Sequence, residues 1–413
     1  MSYVTHLEAR FSGQRFSADS IHEFSGAGGE ILEVRYDLDR IRREVPRESI
    51  GGPASLWRYA PLLPAANPAA AVTLGEGWTP LLAVPRLGGE LALDGLLVKD
   101  EGRNPSGTFK DRGATVSITR LRELGVETVV QNSSGNAAGG WALYAARAGM
   151  RCVNIIPEDA LPASVQQCVL ADSETYVLEG RWQAGGGVVR ELAAANGWTN
   201  VGTLKEPYRV EGKKTMGYEI CEQLGWQLPD VVVYPTGGAL GAIAIFKAFR
   251  ELVELGWVSN DRQPRLIVTQ YEGCAPVVSA FAQGAERAET WPTITSLPGG
   301  LKSASPPGDR AVLQILRETG GEAIAIGNDE ALEAARRLVR TEGLFLCPEA
   351  GTTLAGLIRA LDAGKVGRGE RVVLMCTGSG LKSTPILPGV GAAPRIKGAA
   401  DVPYFISRSG ANA

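Results

Sequence analysis

Lys110 stands in the stretch EGRNPSGTFKDRG (Glu101 to Gly113), after an apolar run, LLVKD, and before an apolar-periodic one. The loop NPSGTF offers hydroxyls and a turn-forming glycine. A lysine that opens a helix sits beside free N–H groups at the positive end of the dipole, which favours its neutral form. A neutral amine is what Schiff-base chemistry requires; the alternative is an ordinary surface lysine. Histidine usage narrows the choice. The two histidines, His6 and His22, lie near the N-terminus, and none occurs from Glu23 to Ala413. A Ser-His-Asp or Cys-His machine in the main body is excluded, because its general base would be missing. Histidine-ligated zinc catalysis is disfavoured for the same reason. Proton chemistry falls to lysine, carboxylate, tyrosine or a cofactor.

Three more loops combine small and polar residues. SSGNAAGG (Ser133 to Gly140) sets hydroxyls and amides at a helix start, either as a carboxylate or phosphate receptor or as a plain cap with Asn136 closing the helix. PTGGALGA (Pro235 to Ala242) lacks a P-loop lysine but has the make-up of a glycine nest for one phosphate. CTGSGLK (Cys376 to Lys382) places the Thr377 and Ser379 hydroxyls after a strand; read alone it is a turn.

These loops need a scaffold, and the pattern supplies one. β-Branched runs such as TVVQNSS, DVVVYPTGG, RLIVTQYEG and RVVLMCTGSG alternate with helical stretches such as NAAGGWALYAARAG and ALGAIAIFKAFRELVELG. The alternation predicts α/β architecture, with parallel sheets wrapped by helices and ligands at the carboxyl ends of strands. NDEALEAARRLVRTEG reads as a helix with Asn328 as N-cap and a stop at Gly343. Gly51 to Ala71, rich in proline and alanine, reads as an extended connector across a surface. A chain of 413 residues suggests two domains. The net charge of -3, with both signs scattered, gives no basic stripe for nucleic acid. No bilayer-length apolar stretch and no signal-peptide core occur, so a soluble cytoplasmic protein is expected. The six cysteines are too dispersed for metal spacing and read as small buried apolar residues.

In order along one chain, the four loops resemble the fold-type II pyridoxal-phosphate enzymes, and within them the threonine synthase-like family. LGEGWTPLL, NPSGTFKDRG, the long stretch from Thr203 to Gly241 and CPEAGTTLAGL carry the resemblance. It implies a two-domain fold like that of the tryptophan synthase β chain. Residues 46–112 and 202–413 would form a large cofactor-binding domain, and 113–201 a small mobile one. It implies that Lys110 holds pyridoxal 5'-phosphate as a Schiff base and, once displaced, acts as general base. Gly237, Gly238, Ala239, Leu240 and Gly241 would wrap the cofactor phosphate. Thr377 would face the pyridine nitrogen and leave it unprotonated. Ser133, Ser134, Gly135 and Asn136 would hold the substrate carboxylate, with Asn136 also reaching the ring hydroxyl. Arg209 matches an arginine that helps bind the substrate phosphate; otherwise it is a surface ion-pair residue. The implied activity is that of a threonine synthase, making threonine and phosphate from O-phosphohomoserine and water. The alternative is a related β-replacement or β-elimination enzyme acting on phosphoserine, serine or threonine. A homodimer is also implied.

The chain departs from the family in four places, one of them the carboxylate loop, where NSSGN stands instead of a threonine or alanine before Gly-Asn. Related chains often carry a small ribbon with two cysteine pairs where residues 1–45 stand; here Ala9, Ser12, Ser25 and Ala27 occupy those places, so a degenerate ribbon-like segment without metal is expected. Thr203 and Leu204 replace an Asn-Ser pair, and Leu204 cannot hydrogen-bond a phosphate. LKSASPPGD (Leu301 to Asp309) is unusually polar for a stretch of the substrate pocket.

Overall fold

The computed structural model describes residues 2–22, 30–179, 184–259 and 263–387. The N-terminal part is a three-stranded antiparallel sheet of β1 (Val4–Ala9), β2 (Arg15–Phe16) and β3 (Leu32–Tyr36), in the order β2-β1-β3, followed by α1 (Leu38–Glu44). Ala9 ends β1 and is buried. Ser12 lies in the turn after it, and Ser25 and Ala27 lie outside the described residues.

The next elements are β4 (Leu81–Ala83), α2 (Pro85–Leu91), β5 (Leu96–Asp100) and α3 (Lys110–Glu123). A four-stranded unit follows: β6 (Thr128–Asn132), α4 (Asn136–Ala148), β7 (Arg151–Pro157), α5 (Pro162–Leu170), β8 (Glu174–Leu178), α6 (Gly185–Asn196) and β9 (Thr199–Asn200). Its strands are parallel in the order β8-β7-β6-β9. The chain then returns through α7 (Tyr208–Gln223), β10 (Val231–Pro235), α8 (Leu240–Glu254), β11 (Arg265–Tyr271), α9 (Pro276–Ala282), α10 (Asp309–Thr319), β12 (Glu322–Ile326), α11 (Asn328–Glu342), α12 (Pro348–Asp362) and β13 (Val372–Cys376). These strands join the earlier pair in a six-stranded sheet of order β12-β11-β10-β13-β5-β4, parallel except for β4 at one edge. Every residue of β10 and β13 is buried, as expected for strands covered on both faces. The α/β class with parallel sheets is therefore as the alternation indicated.

Three local readings differ. Residues 51–71 are not an extended surface connector: Leu56–Leu62 forms a 3-10 turn that buries Leu56, Trp57, Tyr59 and Leu62. The Trp57 ring nitrogen donates to Glu76 Oε1 (3.0 Å) and Thr115 Oγ1 (3.1 Å), and Tyr59 packs on Tyr218. The prolines set the backbone, but four large apolar side chains in seven residues had to find the core. In α11 the cap is Gly327 rather than Asn328, which is already helical. In α4 the residue before the helix is Gly135, at φ 123°, and the Ser133 hydroxyl accepts from the amides of Gly135 (3.2 Å) and Ala138 (3.0 Å). This leaves Asn136 as the first helical residue, its side chain free of capping.

A fully buried ionic network ties β5, α3 and α7 together. Arg112 donates to Glu101 through Nε (2.6 Å) and Nη2 (2.7 Å), and to Glu219 through Nη1 (2.6 Å) and Nη2 (2.7 Å). Lys99 Nζ donates to Glu219 Oε2 at 2.7 Å. All four side chains are inaccessible to solvent, and two positive charges face two negative ones. Burial would raise the Glu219 carboxyl, but Arg112 and Lys99 overcome it and hold the group below the usual carboxylate range. The network anchors α3 two residues beyond Lys110.

Candidate active site

Strand order brings the loops together. β10, β13 and β5 are neighbours, so the loops after Pro235, Cys376 and Asp100 emerge side by side at their carboxyl ends. The loop after β6 comes from the other sheet. All four border one cavity of about 330 Å³, the scale of a small-ligand site. Lys110, Ser133, Ser134 and Asn136 line it. So do Gly237, Gly238, Ala239, Leu240, Gly241 and Thr377. Gly135 and Arg209 are not in its wall. Gly135 sits behind it, with Ser164 close to where a side chain would go.

Lys110 opens α3, as the loop pattern predicted, and lies with Nζ 4.6 Å from the centre of the Phe109 ring. Burial first, and the Arg209 guanidinium second, push its ammonium down to about 8, against an opposing pull from Glu349. The neutral form is thus favoured chiefly by desolvation. Next to it, burial raises the Asp111 carboxyl to about 7 although the Ser106 amide donates to it at 2.6 Å. Asn136 Oδ1 accepts from Ser164 Oγ at 3.1 Å.

The glycine loop leads from β10 into α8. Ala239 adopts φ 67°, in the left-handed region that L side chains rarely occupy, which is a strain expected at a functional turn. A Cβ at Gly237 would lie 2.5 Å from the Gly300 carbonyl oxygen, and one at Gly241 1.7 Å from Tyr234 Oη. Side chains have no space there, so what the loop can offer is backbone, and the first-turn N–H groups of α8 have no intrahelical acceptors.

Arg209 is neither a surface ion pair nor a wall residue. It is buried, with its guanidinium carbon 5.2 Å from the centre of the Trp141 ring, and it donates to the Val201 carbonyl. Its Nε has no partner among the described residues. Burial lowers it to about 10, while Glu206 opposes the shift.

A family model described as "Pyridoxal-phosphate dependent enzyme" matches residues 72–378. The chain belongs to this family. The threonine synthase of Methanocaldococcus jannaschii is 35% identical over 372 residues, covering 90% of this chain and 91% of that protein. The threonine synthase of Methanosarcina acetivorans is 34% identical, covering 91% and 92%. These relatives put the chain in the threonine synthase-like, fold-type II branch of the pyridoxal-phosphate dependent lyases. Among solved structures, a threonine deaminase isoform from Solanum lycopersicum superposes with a TM-score of 0.64 at 18% identity, over 83% of this chain and 97% of that one. Maize serine racemase gives 0.63 at 19%, over 73% and 88%. At such identities these two speak for the fold alone.

The residues present fit pyridoxal phosphate. The Lys110 amine has no hydrogen bond or ion pair among the described residues, and the glycine loop is a backbone cradle that side chains would fill. Both features suit a group with an aldehyde at one end and a phosphate at the other.

Sequence reasoning passed over several wall residues. Lys205, Lys213, Lys302 and Glu349 line the cavity. Lys213 had a signal, since it follows Arg209 by four positions and so shares its helix face. Glu349 lay within the quoted CPEAGTTLAGL, but nothing in its spacing pointed inward; it accepts from the Gly300 amide at 2.7 Å. The polar stretch at 301–309 does reach the wall, through Lys302, Ser303, Ser305 and Pro307.

Proposed function

We propose that this chain is a threonine synthase, converting O-phosphohomoserine and water to threonine and phosphate. The observation that carries the reading is one cavity joining the Lys110 amine, the glycine cradle and the Ser133–Asn136 loop, in a chain that shares nine-tenths of its length with archaeal threonine synthases. Pyridoxal phosphate, when bound, supplies the electron sink for charge developing at the substrate's α-carbon. Gly237 to Gly241 would hold its phosphate with backbone amides, and Thr377 would offer its ring a neutral hydroxyl. Ser133, Ser134 and Asn136 bind the substrate carboxylate, with Gly135 shaping their loop. Lys110 takes the proton from the α-carbon and returns it, since no histidine is available. Arg209 acts from behind the wall, its charge depressing the Lys110 ammonium.

The test is one assay. Cofactor-loaded protein given O-phosphohomoserine is expected to release threonine and inorganic phosphate in equal amounts. Neither product, with the cofactor still bound, would overturn the substrate assignment. The second reading is a β-replacement or β-elimination enzyme acting on phosphoserine, serine or threonine. Leu204 favours it: it is buried, held at φ 60°, and its side chain has no polar atom for a phosphate. Phosphoserine, serine and threonine in the same assay would detect this activity.

The pH dependence of cofactor capture follows from Lys110. Only the neutral amine attacks an aldehyde, and an ammonium lowered to about 8 is mostly neutral above that pH. For protein stripped of cofactor, the rate at which visible absorbance returns on adding pyridoxal phosphate should rise with a midpoint near pH 8 and level off above it. A rise continuing toward 10.5, the ordinary lysine value, would contradict the assignment.

The reading also keeps a cytoplasmic homodimer in which residues 113–201 close over substrate. Small-angle scattering should give a dimer mass and a smaller radius of gyration with substrate bound.

A further inference from the structure

Lys213 is 2% exposed and lies on α7, one turn beyond Arg209. Its Nζ sits 4.4 Å from the centre of the Phe109 ring, the ring that also carries the Lys110 amine. The stem reaches the cavity past Gly113, where a Cβ would approach Lys213 Cε at 3.4 Å and the Arg209 carbonyl at 3.2 Å. Glycine at this helix crossing keeps the channel open for the side chain. Two amines therefore share one corner of the cavity.

Among the described residues the second amine has no hydrogen-bond or ion-pair partner. Three other buried lysines are matched by carboxylates, Lys99 by Glu219, Lys214 by Glu211 and Lys247 also by Glu211, and a fourth, Lys382, donates to the Gln167 amide oxygen. Lys213 makes no hydrogen bond or ion pair among the described residues; its contact is the Phe109 ring. A buried ammonium without an ion pair is costly, and here burial, Lys110 and Arg209 push it well below its ordinary value, against an opposing pull from Glu206. Glu349 is the one carboxylate in a described wall that also holds Lys110 and Lys213, and Lys302 in that wall is already paired with Asp159. The glycine cradle answers the cofactor phosphate, and the Ser133–Asn136 loop answers the substrate carboxylate. A further anion would give Lys213 the ionic partner that it lacks among the described residues.

We propose that Lys213 is a specificity-determining residue whose ammonium binds a phosphate monoester at the far end of the amino-acid substrate. That the ester is O-phosphohomoserine rests on the threonine synthase reading; that Lys213 binds the anion does not. An arriving dianion restores the charge that burial suppresses, so the residue recognises a doubly charged group and is poorly served by a neutral hydroxyl.

The test compares cofactor-loaded wild type with Lys213→Met, which keeps the stem without the charge, and Lys213→Gln, which keeps a donor. Melting curves check that both variants fold, and removing an unpaired charge should leave them at least as stable as wild type. Cofactor content should be unchanged. KM for O-phosphohomoserine should rise at least about tenfold in Lys213→Met, with a smaller change in kcat, and inhibition by inorganic phosphate should weaken by a similar factor. Lys213→Gln should fall between. Unchanged KM and unchanged phosphate inhibition would overturn the proposal. So would loss of cofactor as the main effect, which would assign Lys213 to the cofactor phosphate. If wild type does not turn over O-phosphohomoserine, the threonine synthase reading fails, and calorimetry with inorganic phosphate decides on Lys213. Binding lost in Lys213→Met upholds the anion site, and equal binding in both proteins refutes it.

Discussion

Lys110→Ala is expected to lower turnover by at least about three orders of magnitude while leaving the fold intact. The size follows from removing both the covalent anchor of the cofactor and the proton carrier at the α-carbon, each a large effect alone. No histidine stands nearby to substitute, because none occurs beyond His22. The fold should survive, since alanine is favoured in a helix and the Lys110 amine holds no hydrogen bond or ion pair among the described residues. The glycine cradle is untouched, so the variant should still retain cofactor without the covalent link. Three readings together test this: turnover, cofactor content after gel filtration, and the visible spectrum. Ordinary turnover in the variant would remove Lys110 from the mechanism. Loss of fold would mean that its role is structural.

Arg112→Met should cost about 3–5 kcal/mol of stability, the usual result of breaking a buried ion pair from one side. Its guanidinium makes four contacts of 2.6–2.7 Å to Glu101 and Glu219, and Lys99 alone would be left to face both carboxylates. The pH dependence gives the sign. In the wild type the Glu219 carboxyl is depressed, so its contribution is present above the ordinary carboxylate range and is lost as pH falls through the lowered value. In the variant the buried carboxyls favour protonation instead. The gap between the two proteins should therefore narrow from pH 7 to pH 5. Chemical unfolding at both values would show it. A gap that widened toward acid, or a loss under about 1 kcal/mol, would mean that the network contributes little. Activity should fall as well, because the same network sets the start of α3 and hence Lys110.

Much of the site was legible because it is built from loops whose residue types have few other uses. A glycine pair followed by a small residue at a helix start, a Ser-Ser-Gly-Asn turn, and a lysine opening a helix each report local backbone chemistry. Local chemistry survives folding: Lys110 does open α3, and the glycine loop does lead into α8. The alternation of apolar runs likewise specified parallel sheets, since strands covered on both faces must be apolar throughout. Lys213 was legible in principle, through its four-residue spacing from Arg209, yet nothing local says which face of an almost wholly buried helix meets a cavity.

By itself the sequence determined the groups on offer: an amine, a glycine loop of free amides, a loop of hydroxyls and an amide, and no histidine beyond His22 to compete with them. Only the tertiary structure decided how these meet. Strands distant in sequence, β10, β13 and β5, become neighbours through crossovers, and that order sets three of the loops side by side. Packing of α7 against α3 then buries Arg209 and Lys213 near Lys110; burial of Lys110 itself and the Arg209 charge lower its amine, and Lys110 and Arg209 in turn lower Lys213. Charge–charge energy depends on distance and on the surrounding medium, and both are set by packing rather than by residue type.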